Sequence, residues 1–214
     1  MDKPHVVLLG DSIFDNEPYV GEQPCVIEQV KQTLGTGARA TLLAVDGSVT
    51  DDVFVQIKRI PATTTHAIIS SGGNDALGHQ DVLTRKVDVA AQAFHQLYQI
   101  QSDFGKKYKA MLDALLAKVP RVAVCTIYDP NFPEVLRQQV SIAALAAFND
   151  QITRAAFAQG VPLIDLRLLF SSRDDYANPI EPSSKGGQKI AQVIAKIVDQ
   201  HDFAAKQTRI YDRT

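Results

Sequence analysis

Short apolar runs alternate along the chain with longer stretches in which apolar residues recur every three or four positions. HVVLL (5–9), ATLLAV (40–45), HAIIS (66–70), RVAVCTI (121–127) and PLIDL (162–166) are short and largely apolar, and most are rich in β-branched residues. Such runs predict strands covered on both faces. Between them, 24–34, 50–59, 82–118 and 137–159 carry helical periodicity, and 184–199 supplies a last helix. The 82–118 stretch reads as two helices broken near Ser102 and Gly105. Strand followed by helix, five times over, implies right-handed crossovers and a parallel sheet with helices on both faces. The reading is one domain over 1–199, followed by a C-terminal tail at 200–214, QHDFAAKQTRIYDRT, that packs on the domain or on a partner.

In an open parallel sheet, ligands bind beyond the carboxyl ends of the strands, where strand order reverses. The unusual residues fall in those loops: GDSIFDN, VDGSVT, SGGNDALG, YDPNFP and DDYANPIEPSSKGG follow the five strands in turn. With the strand order 2-1-3-4-5, the loops carrying Gly47 and Asn74 flank the loop carrying Ser12. Ser12 directly follows a strand and a glycine that permits a tight turn, so its hydroxyl can project at the top of the sheet. A serine nucleophile needs a base for its proton and hydrogen-bond donors for the oxyanion. The N–H groups of Ser12 and Gly47 and the amide of Asn74 are candidate donors. Taken alone, Gly-Asp-Ser is equally consistent with a helix cap.

Composition narrows the choice of partner. A 45% hydrophobic content supports a substantial core, and a net charge of -2 without a basic run argues against nucleic acid or an anionic membrane as the main partner. A small molecule is expected instead, and oligomeric state is left open. Cys25 and Cys125 lack metal-ligand spacing and read as buried thiols. No apolar stretch reaches membrane-spanning length, and MDKPHVVLLGDS runs straight into a core strand, so a cytoplasmic protein without membrane association is expected. Neither a glycine-lysine phosphate loop nor a GxGxxG fingerprint is present, which leaves little support for a flavodoxin-like nucleotide or phosphate binder.

VVLLGDS, VDGS and SGGND, in that order after successive strands, resemble the SGNH (GDSL) hydrolase family of esterases and lipases, over about residues 5 to 199. The resemblance implies a three-layer α/β/α sandwich with a five-stranded parallel sheet. It also implies Ser12 as nucleophile, the Ser12 N–H, Gly47 and Asn74 as oxyanion hole, and Asp11 as a support for the turn. The implied activity is ester hydrolysis through an acyl-enzyme, without metal or organic cofactor, on small acyl or acetyl esters.

The last family block departs from the pattern. The family usually carries Asp-x-x-His before a proline, a small residue, a glycine and the final helix, whereas NPIEPSSKGGQKIA aligns without a gap and puts Asn178 and Glu181 at those positions. Three readings stand side by side. Glu181, held between Pro179 and Pro182, is the base; a carboxylate has no tautomer to fix and needs no orienting Asp. Alternatively His79, or Asp174 or Asp175, has taken over the role. Or the site is silent, a ligand- or partner-binding module on the same scaffold. A structural role for Glu181, with the following helix dipole or with Lys185, is compatible with each. Asp165 and Arg167 read as an ion pair, Asp15 and Asn16 as pocket floor or helix cap, and Asp129 and Asn131 as turn residues. Phe14, Tyr19, Tyr128 and Phe132 are candidates for lining an acyl pocket or for the core.

Overall fold

The computed structural model describes residues 3–212. Its strands are β1 (His5–Gly10), β2 (Arg39–Leu42), β3 (His66–Ser70), β4 (Val122–Cys125), β5 (Leu163–Ile164), β6 (Tyr176–Asn178), β7 (Glu181–Pro182) and β8 (Ile210–Tyr211). The α-helices are α1 (Glu17–Val20), α2 (Val26–Leu34), α3 (Val53–Lys58), α4 (Gly73–Leu77), α5 (Ala90–Lys118), α6 (Val135–Gln159), α7 (Leu166–Leu169) and α8 (Ser184–Gln200). The main sheet has the order β2-β1-β3-β4-β5-β8 with every pair parallel, and β6 and β7 form a separate antiparallel hairpin.

Alternation along β1 sends Val6 and Leu8 to one face of the sheet and Val7 and Leu9 to the other. The first pair packs with Val26 and Val30 of α2 and Ile190 and Ile194 of α8. The second packs with Ile57 of α3, Met111 and Leu112 of α5, and Ile152 of α6. Complete burial of one such side chain contributes about 1.5–3 kcal/mol. Both faces are therefore closed, and the loops at the carboxyl edge are left to carry chemistry. Cys25 and Cys125 are free and buried, as their spacing suggested.

Two sequence expectations require correction. The sheet has six strands rather than five, because Ile210 and Tyr211 pair with Leu163 and Ile164. The Leu163 N–H donates to the Arg209 carbonyl and the Asp165 N–H to the Tyr211 carbonyl, each at 2.9 Å. A two-residue strand carries no periodicity by which to recognise it. The 82–118 stretch is not two helices: a 3₁₀ turn spans Gln80–Thr84, and α5 then runs unbroken through Ser102 and Gly105. Gly105 marks a close approach of helices instead of a break. A Cβ there would lie 2.2 Å from Oε1 of Gln151 in α6.

Gly186, one of the glycine pair after the caged acid, has a similar packing role in α8. A Cβ there would lie 2.2 Å from the Asp175 carbonyl oxygen and 2.9 Å from the Phe170 ring. Backbone cannot yield as a flexible side chain can. Gly186→Ala is expected to lose about 1–3 kcal/mol in urea unfolding. Gly105→Ala, where the end of Gln151 can swing away and helix propensity improves by about 1 kcal/mol, is expected to be neutral or stabilising.

Candidate active site

The site begins where β1 stops. Gly10 has φ +119°, and a Cβ on it would lie 1.6 Å from the Ser70 carbonyl oxygen of β3, so only glycine fits. Gln56 clamps the same residue, accepting from the Gly10 N–H at 2.7 Å and donating to its carbonyl at 2.8 Å. The chain then turns: Phe14 and Asp15 N–H groups return to the Asp11 carbonyl, and the Ile13 N–H donates to Asp11 Oδ1 at 3.2 Å. Asp11 thus holds the turn on which Ser12 sits.

Ser12 Oγ donates to Glu181 Oε1 at 3.1 Å, across 169 residues of chain. Both side chains are buried, with Ser12 7% and Glu181 6% exposed. Glu181 opens β7 opposite Asn178 in the small hairpin. Asn178 Oδ1 accepts from the Ile180 N–H at 2.9 Å, which makes Asn178 a turn former. The Tyr128 hydroxyl donates to the Ile180 carbonyl, and the Asn131 N–H to the Pro179 carbonyl at 2.8 Å. From the other side, fully buried Asn16 donates to the Pro182 carbonyl at 3.2 Å and accepts from the Val26 N–H at 2.9 Å. Every residue from 178 to 182 except the acid is held by one of these contacts, so Glu181 is aimed by its neighbours.

The electrostatics follow from burial. Loss of solvent pushes Glu181 from 4.5 up to about 7; the Ser12 hydrogen bond opposes the change and nearby Asp46 adds to it. Burial likewise pushes Asp11 up to about 8, opposed by the Ile13 N–H and reinforced by Glu181 and Asp75. Glu181 Oε2 is buried with no hydrogen-bond partner among the described residues.

The flanking loops are tied to one another. Asn74 Nδ2 donates to the Ser48 carbonyl at 3.0 Å, and Asp75 Oδ2 accepts from the Thr50 N–H and hydroxyl, each at 2.9 Å. Gly47 lies between, with φ +80°, and its neighbour Asp46 donates its N–H to Asp15 Oδ2 at 2.9 Å. Among the described residues, no protein group accepts a hydrogen bond from the Ser12 or Gly47 N–H. Ser12, Asn74 and Glu181 share one cavity of about 460 Å³; Gly47 lies outside its lining. Leu97 and Ile100 of α5 and Val140, Ala144, Leu145 and Phe148 of α6 form apolar walls.

The other candidates disperse. His79 is exposed in the cavity wall, and among the described residues its side chain has no hydrogen bond to Ser12 or Glu181. Asp174 pairs with Lys185 at 3.1 Å, so Lys185 is not the partner of Glu181. Asp175 accepts from the Ser171 and Ser172 N–H groups at 2.9 Å and from Lys189 at 2.7 Å. Asp165 and Arg167 form the expected ion pair, at 2.6 Å. Tyr128 and Phe132 line the cavity, whereas Phe14 is in the core and Tyr19 donates to Asp46 at 2.6 Å. Gln56 and the apolar walls of α5 and α6 were not singled out from sequence. A glutamine in a short helix carries no motif, and wall residues share the helical periodicity of core residues.

A three-layer α/β fold with a serine and a buried carboxyl at the carboxyl edge defines the class, and comparison with solved structures agrees. A lipase, Lip_vut3, from a goat rumen metagenome superposes with TM-score 0.69 at 18% identity, covering 92% of this chain and 97% of that one. An extracellular lipase from Streptomyces rimosus gives 0.61 at 20% identity, covering 86% and 94%. Est24, a carbohydrate acetylesterase from Sinorhizobium meliloti, gives 0.60 at 15%, covering 92% and 98%. No curated protein matches the chain. The GDSL-like lipase/acylhydrolase family model matches residues 8–189, and the chain belongs to that family.

The raised Glu181 value has a thermodynamic consequence. A carboxyl that titrates near 7 when folded and near 4.5 when unfolded binds its proton more tightly in the folded state. The contribution of Glu181 to stability is therefore greatest at low pH and falls as pH rises from 4.5 towards 7. Glu181→Gln removes this dependence. Between pH 4.5 and 8 the wild type is expected to lose roughly 3 kcal/mol more than the variant in urea unfolding; parallel pH dependences would mean that Glu181 is not perturbed.

Proposed function

We propose that this chain hydrolyses carboxylic esters through an acyl-Ser12 intermediate, with Glu181 as general base and an apolar acyl group in the cavity. The observation that carries the reading is the buried hydrogen bond from Ser12 Oγ to Glu181 Oε1. Ser12 Oγ attacks the ester carbonyl carbon as its proton passes to Glu181. The oxyanion takes hydrogen bonds from the Ser12 and Gly47 N–H groups and the Asn74 amide. Collapse breaks the bond to the alcohol, and the Glu181 proton goes to the departing alkoxide. Water then attacks the acyl carbon, yielding its proton to Glu181, and the acid leaves as Ser12 Oγ regains a proton.

Two physical arguments support a carboxylate in this role. An ordinary glutamate is a weaker base than histidine by about 2 pK units, roughly 3 kcal/mol of driving force. Burial that raises Glu181 to about 7 removes that handicap. A carboxylate also presents equivalent oxygens and needs no acid to select a tautomer, consistent with Asn178 being a turn former. His79, Asp174 and Asp175 lack a comparable contact with Ser12. The apolar walls favour acyl groups longer than acetyl.

Labelling by an activated phosphonate and turnover of a short-chain aryl ester provide the test. Ser12→Ala should abolish both, and Glu181→Gln should lower turnover by about 10²–10⁴-fold. Undiminished turnover in Glu181→Gln rules out Glu181 as base, and absence of label in the wild type favours a silent binding module. Because the base must be ionised, activity should rise with pH about a midpoint near 7. That midpoint is close to one for histidine, so His79→Ala must leave it unchanged. A second series varies the acyl group. From acetyl to octanoyl esters kcat/KM should climb about fourfold per methylene, the equivalent of about 0.8 kcal/mol each; a flat or falling series would show that the cavity does not hold the acyl chain.

A further inference from the structure

Exposed apolar side chains cluster on the segments next to residues that line the cavity. Phe94 and Tyr98 of α5 are 73% and 61% exposed, and Val135 and Leu136 at the start of α6 are 70% and 74% exposed. Leu83 in the 3₁₀ turn and Val89 at the entry to α5 add to them. More than half of the large hydrophobic side chains exposed among the described residues thus fall within 83–98 and 135–136. Within those segments Leu83, Leu97 and Leu136 line the cavity itself.

Their placement is not scattered. Phe94, Tyr98, Gln101 and Gly105 follow the i, i+4, i+7, i+11 spacing of one helical stripe. Lower on that stripe, Gln101 bonds Gln151 of α6 at 3.3 Å and Gly105 packs on the same side chain. Nearer the start of α5, Phe94 and Tyr98 are exposed, while Leu97 and Ile100 of the same turns line the cavity. Apolar surface therefore continues from solvent into the cavity that holds Ser12. Leu83 and Leu136 belong to both, being exposed and part of its lining.

We infer that this rim docks the protein onto a lipid surface without net charge, such as a phosphatidylcholine bilayer or micelle, from which an acyl chain enters the cavity without crossing water. The inference rests on the ester-hydrolase reading for its purpose, though not for its test. Charge favours this occupant. Across 79–98 and 134–137, Asp81, Asp88 and Glu134 are balanced by Arg85, Lys86 and Arg137. Arg85 is paired with Asp81, and Arg137 lies over the Phe132 ring at 3.9 Å. No cationic excess remains to select an anionic surface. A second copy of the chain seated on the rim would cover the route to Ser12, whereas a lipid surface supplies what passes along it. Net charge and the search for a spanning apolar stretch, on which the sequence expectation of no membrane rested, do not report such a stripe.

Co-sedimentation with phosphatidylcholine vesicles tests the inference, using Ser12→Ala so that the vesicles persist. The Ser12→Ala chain should partition onto the vesicles. Adding Phe94→Ser and Val135→Ser, which lie outside the cavity lining, should weaken binding about tenfold or more. In the otherwise wild-type chain those two substitutions should slow hydrolysis of vesicular ester and leave turnover of a dissolved butyrate ester within about twofold. No partition of the Ser12→Ala chain overturns the inference. So does binding that the rim substitutions leave intact, or a dimer in analytical ultracentrifugation that they dissolve while no vesicle binding occurs. Vesicle binding by a chain that turns over no ester would remove the hydrolase reading and leave the docking surface standing.

Discussion

The structure turns on one buried hydrogen bond between groups that would rather be in water. Ser12 and Glu181 lie 169 residues apart and meet in a site where Glu181 Oε2 has no partner among the described residues. An acid placed there costs folding free energy whenever it ionises, because desolvation penalises the charged form. The same penalty raises its proton affinity towards neutrality, which makes a glutamate useful as a base. Stability given up at the site and basicity gained there are two measures of one interaction.

Such an acid must be held by groups other than its own carboxylate. The sheet fixes Ser12 through Gly10, which approaches Ser70 too closely for any side chain and is clamped by Gln56. The hairpin fixes Glu181 through the contacts of Asn178, Pro179, Ile180 and Pro182 with their surroundings. Asn16 contributes most per residue, since one fully buried amide joins the start of α2 to the backbone just after the acid. Truncating it would leave buried polar groups on both elements unpaired, at about 1–3 kcal/mol each.

Much of this was legible in the sequence, for definite reasons. Strands covered on both faces read as unbroken apolar runs, so the core of the sheet and its order 2-1-3-4-5 were accessible. Loops at one sheet edge concentrate Gly, Asp, Ser and Asn, so Ser12, Asn74 and Glu181 could be collected before their contacts were known. β8 was not legible, since two residues held by Leu163 and Ile164 have no period of their own. The continuity of α5 was hidden because Gly105, a weak helix former, is explained only by the side chain of Gln151 on another helix. The exposed stripe at Phe94 and Tyr98 has the same spacing as a buried one, and only the folded structure shows that these two face solvent.

Two buried carboxyls lie beside Ser12, and burial favours the neutral form of both. Burial raises the proton affinity of Asp11, and a charge on Glu181 raises it further. Burial pushes Asp11 up to about 8 and pushes Glu181, the member that accepts from Ser12, up to about 7. A neutral Asp11 still accepts the Ile13 N–H and keeps the turn. A charge on Glu181 therefore favours the neutral form of Asp11 without undoing the turn that positions Ser12.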